Sequence, residues 1–206
     1  MLDASSIPFR VILLDDASKD FTVDEAYKIR DQRLTIRRGT LNVGKGKLIR
    51  QNISEVRDSI VGIFDGDLDI HPKTLVEGYK LLTNNKNIGA AIGSKQHPNS
   101  TVEYPLSRKL LSRIFQFISH ILFGLSVGDS QTGAKVFRTK ELAAVCTDAV
   151  ADGFMFDLEI LVRMSNLGLG IVEIPIELDY KFDSTIGFGS TLKTGLDMFR
   201  VWRSMH

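Results

Sequence analysis

Short apolar runs alternate with amphipathic segments along the first half of the chain. The runs have the length and near-continuous hydrophobicity of buried strands, and they lie at residues 10–14, 34–37, 60–64 and 88–93. The segments between them have helical spacing and begin at residue 23, at about residue 42 and at His71-Pro72. Strands separated by helices of roughly 10–15 residues predict βαβ units and a mostly parallel, Rossmann-like α/β sheet flanked by helices.

The second half of the chain is predicted to be mainly helical. A wide apolar face over residues 108–125 predicts a long helix, and we expect that face to pack on the core, with contact to lipid as the alternative. The same patterns predict further helices at residues 139–150, 156–167 and about 191–205, and strands at residues 136–137 and 171–178. Residues 179–190 are predicted to form a loop.

Composition limits the class of protein. The 206 residues, 43% hydrophobic and 25% charged, suit one globular α/β domain with a sizeable core. The net charge of +1 argues against a general nucleic-acid binder. The single cysteine, Cys146, excludes an intramolecular disulfide and a cysteine-rich zinc site, and its apolar surroundings predict a small core residue. No uninterrupted apolar run approaches the roughly 18 residues that a membrane-spanning helix needs.

Three carboxylates follow the third predicted strand at alternate positions: Asp65, Asp67 and Asp69. In an extended chain, alternate side chains point the same way, so at least the first two could face one site. Like charges come together only where a cation or a hydrogen-bond network neutralises them, and Mg²⁺ and Mn²⁺ prefer such oxygen ligands. The sequence therefore indicates a metal–diphosphate site, with a solvated acidic turn as the alternative.

Two other polar segments follow the early strands. Asp15-Asp16 comes directly after the first strand, where a carboxylate could accept hydrogen bonds from a nucleoside or could cap a helix. Gly44-Lys45-Gly46-Lys47 lies at a helix start, where backbone N–H groups and a lysine favour a phosphate. A flexible lysine-rich turn is the alternative, and the segment is not a P-loop.

The remaining polar clusters lie in the second half. Residues 129–133 form a polar segment between two apolar ones, and Asp157 and Glu159 lie near a helix start, where Asp157 could simply stabilise the helix dipole. A set of basic residues could hold an acceptor anion or balance the acidic turns, and it comprises Lys95, His97, Arg108 and Arg113.

Taken in order, these motifs resemble one family. Asp-Asp-x-Ser, Asn-x-Gly-Lys-Gly, Asp-x-Asp, Gly-Ser-Lys, Asp-x-Gln-Thr-Gly, Phe-Asp-x-Glu and Glu-x-Pro occur in one order between residues 11 and 193. The chain thus resembles a family 2 glycosyltransferase of the GT-A fold, and most closely the branch of polyprenyl (dolichyl) phosphate sugar synthases.

The resemblance implies a role for each motif. It implies donor contacts at Asp15, Asp16, Lys45 and Asp65. It implies a divalent ion, Mg²⁺ or Mn²⁺, near Asp65, Asp67 and Asp69. It implies acceptor-phosphate contacts at Lys95, Arg108, Ser112 and Lys193. It places at the reaction centre Asp67, Asp129, Gln131 and Asp157.

The implied reaction is an inverting transfer of a hexose from a UDP- or GDP-sugar to a polyprenyl phosphate at the cytoplasmic face of a membrane. The donor and metal would occupy residues 1–94, the acceptor residues 95–190, and an amphipathic helix residues 191–206 of one domain. The alternatives are a glycan acceptor, which would need a general base such as Asp129 or Asp157, and a non-catalytic interaction module. The sequence does not distinguish UDP from GDP or one hexose from another.

The resemblance also predicts one difference from the family. Members begin with one more β-α unit, roughly 30 residues long, than this chain shows before residue 10. The corresponding strand would lie inside the sheet. We therefore expect uncovered backbone groups and apolar surface at that place.

Overall fold

The computed structural model describes residues 2–67, 69–102, 106–178 and 189–205, without the side chains of residues 106–111 and 189–194. A short 3₁₀ turn at Asp3–Ser5 precedes the first strand. The strands are β1 Val11–Asp15, β2 Leu34–Arg38, β3 Ile60–Phe64, β4 Ile88–Ser94, β5 Thr101–Val102, β6 Ala134–Arg138, β7 Gly170–Pro175 and β8 Glu177–Leu178. The helices are α1 Thr22–Lys28, α2 Lys45–Ile53, α3 Lys73–Asn84, α4 Leu106–Phe123, α5 Thr139–Asp148, α6 Phe156–Asn166 and α7 Gly189–Met205.

The main sheet has four strands in the order β3-β6-β4-β7. β4 and β7 are parallel, as the alternation of strands and helices predicts. β6 runs antiparallel to both of its neighbours, so the sheet is mixed. A short buried strand has the same apolar pattern in either direction, and the sequence therefore did not indicate the direction of β6.

β1 and β2 form a separate parallel pair. Within the described residues, β1 pairs only with β2, and β3 only with β6. The starts of β1 and β3 are linked by an ion pair of 2.7 Å between Arg10 Nη2 and Asp58 Oδ2. β1 and β3 each keep one edge without a strand partner in this part of the chain, and Val11 is 41% exposed.

The largest core cluster lies between the main sheet and the helices α5 and α6. α6 is buried along most of its length, and Phe156, Leu158 and Leu161 have no exposed surface. Cys146 lies in the same cluster, as predicted. The start of α6, which carries Asp157, is therefore held by the core.

The apolar face of α4 is only partly buried, so the expectation that it packs on the core is wrong for several residues. Ser119 is buried and Phe115 packs against the core, whereas other apolar side chains are exposed, namely Ile114, Phe117, Ile118 and Ile121. The apolar stripe is wider than the surface that the core covers. Among the described residues, no helix has the length and hydrophobicity required to cross a membrane.

Several element boundaries differ from the predictions. The predicted strand at residues 171–178 is interrupted at Ile176, which separates β7 from β8. β5 is two residues long and was not predicted, because a pair of residues has no periodicity. Most of the predicted loop at residues 179–190 lies outside the described residues.

Candidate functional site

The first residue of α2 lies beside the end of β3 and the start of α6. Nζ of Lys45 is 2.8 Å from Oδ1 of Asp65, the residue that follows β3. The same ammonium is 3.0 Å from Oδ2 of Asp157, in the first turn of α6. Three of the segments singled out in the sequence therefore meet at one lysine.

A second lysine lies beneath this contact. Lys135 of β6 has a side chain only 1% exposed, and its Nζ is 2.8 Å from Oδ1 of Asp157. The ammonium of Lys135 also donates to the carbonyl oxygen of Thr132. Two lysines and two carboxylates thus alternate from the sheet interior to the surface: Lys135, Asp157, Lys45 and Asp65. Such pairing is what allows charges to remain buried.

The pKa values of these groups depend on burial and on the neighbouring charges. Burial opposes the charged form of Lys45, but Asp157 and Asp65 together raise the pKa of the lysine. Burial likewise opposes ionisation of Asp157, but Lys135 and Lys45 lower its pKa. The pKa of Lys135 is lowered, because complete burial and the charge of Lys45 outweigh the attraction of Asp157. Asp157 is therefore a carboxylate with two cationic partners.

Most of the backbone N–H groups that the sequence offered to a phosphate at the start of α2 are already hydrogen-bonded within the fold. The N–H groups of Gly46 and Lys47 donate to the carbonyl oxygen of Asp152, at 2.7 and 3.3 Å. The N–H groups of Val43 and Gly44 donate to the two carboxylate oxygens of Asp16, each at 2.8 Å. Because these donors are already used, an anion at this helix start would meet the side chain of Lys45.

Gly44 is required by this close packing. Its φ of +90° is a conformation that other residues rarely adopt. A Cβ atom at this position would also lie 2.4 Å from the carbonyl oxygen of Asp152. The glycine therefore allows the segment before α6 to approach the start of α2.

A buried carboxylate holds the segment around residue 151 in place. Oε2 of Glu159 accepts hydrogen bonds from the N–H groups of Val150 and Ala151, at 3.0 and 2.7 Å. Oε1 of Glu159 is 2.8 Å from Nη2 of Arg163. Glu159 has no exposed side-chain surface, so it serves the structure and not a ligand.

The two acidic residues after β1 act mainly on the backbone. Asp15 is buried, and its carboxylate accepts a hydrogen bond of 3.3 Å from the N–H group of Ser18. Asp16 connects the turn after β1 to the start of α2 through the bonds described above. Both carboxylates therefore accept hydrogen bonds from nearby backbone, which is the capping role that the sequence left open as the alternative. A nucleoside contact at Asp15 and Asp16 stays a prediction.

Asp65 is packed against a glycine of the Asp-x-Gln-Thr-Gly segment. Its N–H group donates to the carbonyl oxygen of Gly133 at 2.8 Å. A Cβ atom on Gly133 would lie 2.9 Å from Oδ2 of Asp65 and 3.1 Å from its Cβ. The absence of a side chain at residue 133 therefore sets the position of the Asp65 carboxylate.

The acidic turn continues from Asp65 to the exposed Asp67 and to the partly buried Asp69. Oδ1 of Asp67 accepts a hydrogen bond of 3.2 Å from the N–H group of Asp69. In the described part of the chain, no three histidine, cysteine, aspartate or glutamate side chains are grouped so as to hold a metal ion.

A second charged pair lies at the end of β4. Nζ of Lys95 is 3.2 Å from Oδ2 of the buried Asp129, and the backbone N–H of Lys95 donates to the same oxygen at 3.1 Å. The N–H group of Asp129 donates in turn to Oε1 of Glu173 at 3.1 Å. The fold thus brings together two residues that the sequence assigned to the acceptor side.

The neighbouring Gln131 and Thr132 have unused polar atoms. Both amide atoms of Gln131 and the hydroxyl of Thr132 are buried without a hydrogen-bond partner among the described residues. Of the other predicted acceptor residues, Ser112 is partly buried on α4. The side chains of Arg108 and Lys193 lie outside those that the structure describes.

Sequence reasoning did not identify Lys135, Glu159 or Glu173 as part of the site. For Lys135 a signal existed, because a lysine inside the buried strand Ala134–Arg138 requires a partner. Glu159 was noticed only as part of a motif. Glu173 was likewise noticed only as the first residue of the Glu-x-Pro motif, which does not indicate its contact with Asp129.

Comparison of the sequence with models of known protein families gives a result that agrees with the order of the motifs. The sequence profile of glycosyl transferase family 2 matches residues 2–145. The chain belongs to this family. Both the Asp65 turn and the Lys45 segment lie within the matched region.

Matches to two named relatives cover most of the chain. It is 24% identical over 197 residues to the glycosyltransferase AglD of Haloferax volcanii, a match that covers 94% of this chain and 31% of AglD. It is 29% identical over 174 residues to the undecaprenyl-phosphate mannosyltransferase of Micrococcus luteus, covering 81% of this chain and 70% of that protein. The chain therefore spans about a third of the length of AglD.

Solved structures show the fold. Glucosyl-3-phosphoglycerate synthase from Mycobacterium tuberculosis, in complex with UDP, superimposes with a TM-score of 0.69 at 18% identity, over 92% of this chain and 68% of that one. Mannosyl-3-phosphoglycerate synthase from Rubrobacter xylanophilus gives a TM-score of 0.68 at 15% identity, over 93% and 61% of the two chains. The α/β fold is that of the GT-A glycosyltransferases.

Proposed function

We propose that this chain is an inverting glycosyltransferase that moves a hexose from a nucleotide sugar to polyprenyl phosphate. The observation that carries the proposal is the Lys45 ammonium, held between Asp65 and Asp157 at the end of β3. In α/β sheets of this kind, ligands bind beyond the carboxyl ends of the strands. A cation fixed beside an acidic turn suits a donor diphosphate and its counter-ion.

The donor would occupy the region of Lys45 and the acidic turn, with Asp15 and Asp16 towards the nucleoside. Asp65 and Asp67 present carboxylate oxygens on one turn, the Asp65 side chain is 39% exposed, and such oxygens suit a divalent ion, Mg²⁺ or Mn²⁺. Asp65, Asp67 and Asp69 would hold the ion. When bound, such an ion neutralises the negative charge of a leaving nucleoside diphosphate. A solved relative of this fold contains Mn²⁺ and UDP.

Lys45 would supply the positive charge that the protein itself contributes to the donor. Its raised pKa keeps the ammonium charged at neutral pH. The two carboxylates fix its position, so little reorganisation is needed when the diphosphate arrives. Positioning and electrostatics of this kind can supply much of the rate enhancement.

The acceptor would be an ionised phosphate near Lys95, Ser112, Arg108 and Lys193. One of its oxygens attacks the anomeric carbon from the face opposite the nucleotide. The bond between that carbon and the diphosphate oxygen breaks, and the electron pair leaves with the nucleoside diphosphate. Because the attacking oxygen is already ionised, no general base has to remove a proton. The unpartnered amide of Gln131 and the carboxylate of Asp129 would line this side.

A lipid acceptor is supported by two exposed apolar surfaces. α4 exposes Ile114, Phe117, Ile118 and Ile121, and α7 exposes Leu196 and Phe199. Surfaces of this composition suit the interface of a membrane. The relative from Micrococcus luteus is named for an undecaprenyl phosphate. We therefore propose peripheral contact with the cytoplasmic face of a membrane.

A glycan acceptor is the second candidate, and the site geometry favours it less. A glycan hydroxyl would need a general base, for which the sequence offered Asp129 and Asp157. Asp157 is buried between two ammonium groups that lower its pKa, which makes it a poor base. Asp129 accepts a hydrogen bond from the backbone N–H of Lys95 and forms an ion pair with the ammonium of the same residue. A non-catalytic interaction module is the third candidate.

A transfer assay tests the proposal. The protein is incubated with Mn²⁺, vesicles containing undecaprenyl phosphate and radiolabelled UDP- or GDP-hexoses, and the organic phase is counted. We expect label in the lipid with one donor, and its loss in Asp67→Asn but not in the exposed control Asp24→Asn. Label that enters only an added glycan would favour the second candidate. No transfer to either acceptor by folded protein that binds nucleotide would contradict enzymatic activity.

A further inference from the structure

Lys135 is buried in the middle of the main sheet. Its strand, β6, lies between β3 and β4, and Lys135 is paired with Ile63 on one side and Ile92 on the other. With 1% of its side chain exposed, it has no surface with which to contact a donor or an acceptor directly. Any role of Lys135 in the reaction must therefore act through another residue.

That residue is Asp157. Nζ of Lys135 is 2.8 Å from Oδ1 of Asp157, and Nζ of Lys45 is 3.0 Å from Oδ2 of the same carboxylate. Lys45 also donates to Oδ1 at 3.3 Å, so its ammonium spans both oxygens of the carboxylate and lies nearer to Oδ2, while Lys135 contacts Oδ1. Lys45 in turn lies 2.8 Å from Asp65. The orientation of the Asp157 carboxylate determines how the ammonium of Lys45 is shared between the two acids.

A structural role alone does not require a lysine at residue 135. A buried ion pair is weak evidence for stability, because an apolar side chain of similar volume often replaces it without loss. Methionine would fill nearly the same space in β6. The feature that an apolar residue cannot reproduce is the hydrogen-bond donor that lies 2.8 Å from Oδ1 of Asp157.

We infer that Lys135 is a positioning residue of the donor site, which fixes the Asp157 carboxylate so that it holds Lys45 beside Asp65. The inference rests on the proposed function, because it assigns Lys45 to the donor diphosphate. Without Lys135, Asp157 would draw Lys45 away from Asp65. Without Asp157, Lys45 would pair with Asp65 alone and compete there with a cation.

A double-mutant cycle tests this inference. The affinity for UDP and GDP in the presence of Mn²⁺ is measured by calorimetry for the wild-type protein, Lys135→Met, Asp157→Asn and the double variant. Lys140→Met, at an exposed position on α5, is the matched control. Circular dichroism checks that each variant is folded.

We expect each single variant to weaken nucleotide binding about tenfold and the control to leave it unchanged. Because Lys135 acts through Asp157, the double variant should also be weakened about tenfold and not about a hundredfold. If Lys135 only added positive charge to the site, the losses of affinity in the two single variants would add up in the double variant. If Lys135 only stabilised the sheet, Lys135→Met would leave the affinity unchanged.

The outcomes separate the two proposals. A folded wild-type protein that binds neither nucleotide overturns the proposed function and this inference with it. Wild-type binding with additive effects, or with no effect of Lys135→Met, overturns the inference alone. Lys135→Met could fail to fold because it leaves the buried carboxylate of Asp157 without one of its partners. In that case the double variant, which removes both members of the buried pair, is compared with Asp157→Asn. Equal affinities support the inference, and a difference of about tenfold overturns it.

Discussion

Nζ of Lys45 lies 3.0 Å from Oδ2 of Asp157, although the two residues are 112 positions apart in the chain. The contact joins the start of α2 to the start of α6 next to Asp65. It brings residues from both halves of the chain into one site.

Gly133→Ala should displace the carboxylate of Asp65. The added methyl group would lie 2.9 Å from Oδ2 of Asp65, and the backbone of residue 133 is fixed by its bond to the N–H group of Asp65. We expect about tenfold weaker nucleotide binding and a loss of about 1–3 kcal/mol in the free energy of unfolding. Titration calorimetry and urea denaturation measure the two effects.

The matched control for this variant is Gly195→Ala. Gly195 lies in α7, and a Cβ atom there would have no heavy atom within 4 Å. The control should bind nucleotide normally. Normal binding by Gly133→Ala as well would show that the position of Asp65 is not important for the donor.

Glu159→Gln should loosen the segment that covers the start of α2. Glu159 is completely buried and accepts hydrogen bonds from Val150, Ala151 and Arg163. Removing the charge leaves Arg163 without its anionic partner in a largely buried place. We expect a loss of about 3 kcal/mol in the free energy of unfolding, measured by urea denaturation. Glu25→Gln, which removes an exposed ion pair with Lys28, should have almost no effect, and equal effects would argue against this role of Glu159.

The first strands and the central acidic site could be predicted from the sequence, because local patterns determine them. Residues 60–64 were predicted as a strand with the bounds that β3 has. The family resemblance assigned Lys45 and Asp65 to the same donor contacts, and in the structure the two side chains form an ion pair. The contacts of Lys135 with Asp157 and of Asp129 with Glu173 depend on long-range packing, which no local pattern indicates.

Which acceptors the backbone N–H groups at the start of α2 bind also depends on long-range packing. The backbone N–H groups of residues 44–47 are equally suited to bind a phosphate and to donate hydrogen bonds to a carbonyl oxygen of a distant loop. The carbonyl oxygen of Asp152 takes that position because Glu159 holds its segment there. For the same reason, the sequence could not show which apolar residues of α4 the core would leave exposed.

Cys146 should resist thiol reagents in the folded protein. Burial raises the pKa of its thiol from the ordinary 9.0 to about 12, so little thiolate is present at pH 8. The stability that the neutral thiol contributes is fully present below pH 9 and is lost as the pH rises towards about 12. We expect labelling by a disulfide reagent at pH 8 to be slow until denaturant unfolds the protein. Rapid labelling without denaturant would contradict the buried position.

The exposed face of α4 should be required for binding to lipid. Replacing Ile114, Phe117 and Ile121 by serine removes apolar side chains that are 47%, 66% and 63% exposed. We expect the triple variant to lose flotation with liposomes, because apolar area drives interfacial binding. The control replaces Phe21, Tyr27 and Ile29, which are similarly exposed. Equal flotation of both triple variants would exclude α4 as the membrane contact.

The most direct test of the donor site is titration calorimetry with UDP and GDP, with and without Mn²⁺. The wild-type protein and Asp24→Asn should bind one nucleotide in a manner that depends on the metal. Asp65→Asn should lose most of this binding, because it removes a carboxylate that faces both Lys45 and the proposed ion. Absence of binding by folded wild-type protein, or binding that Asp65→Asn leaves unchanged, would contradict a nucleotide-sugar site at the end of β3.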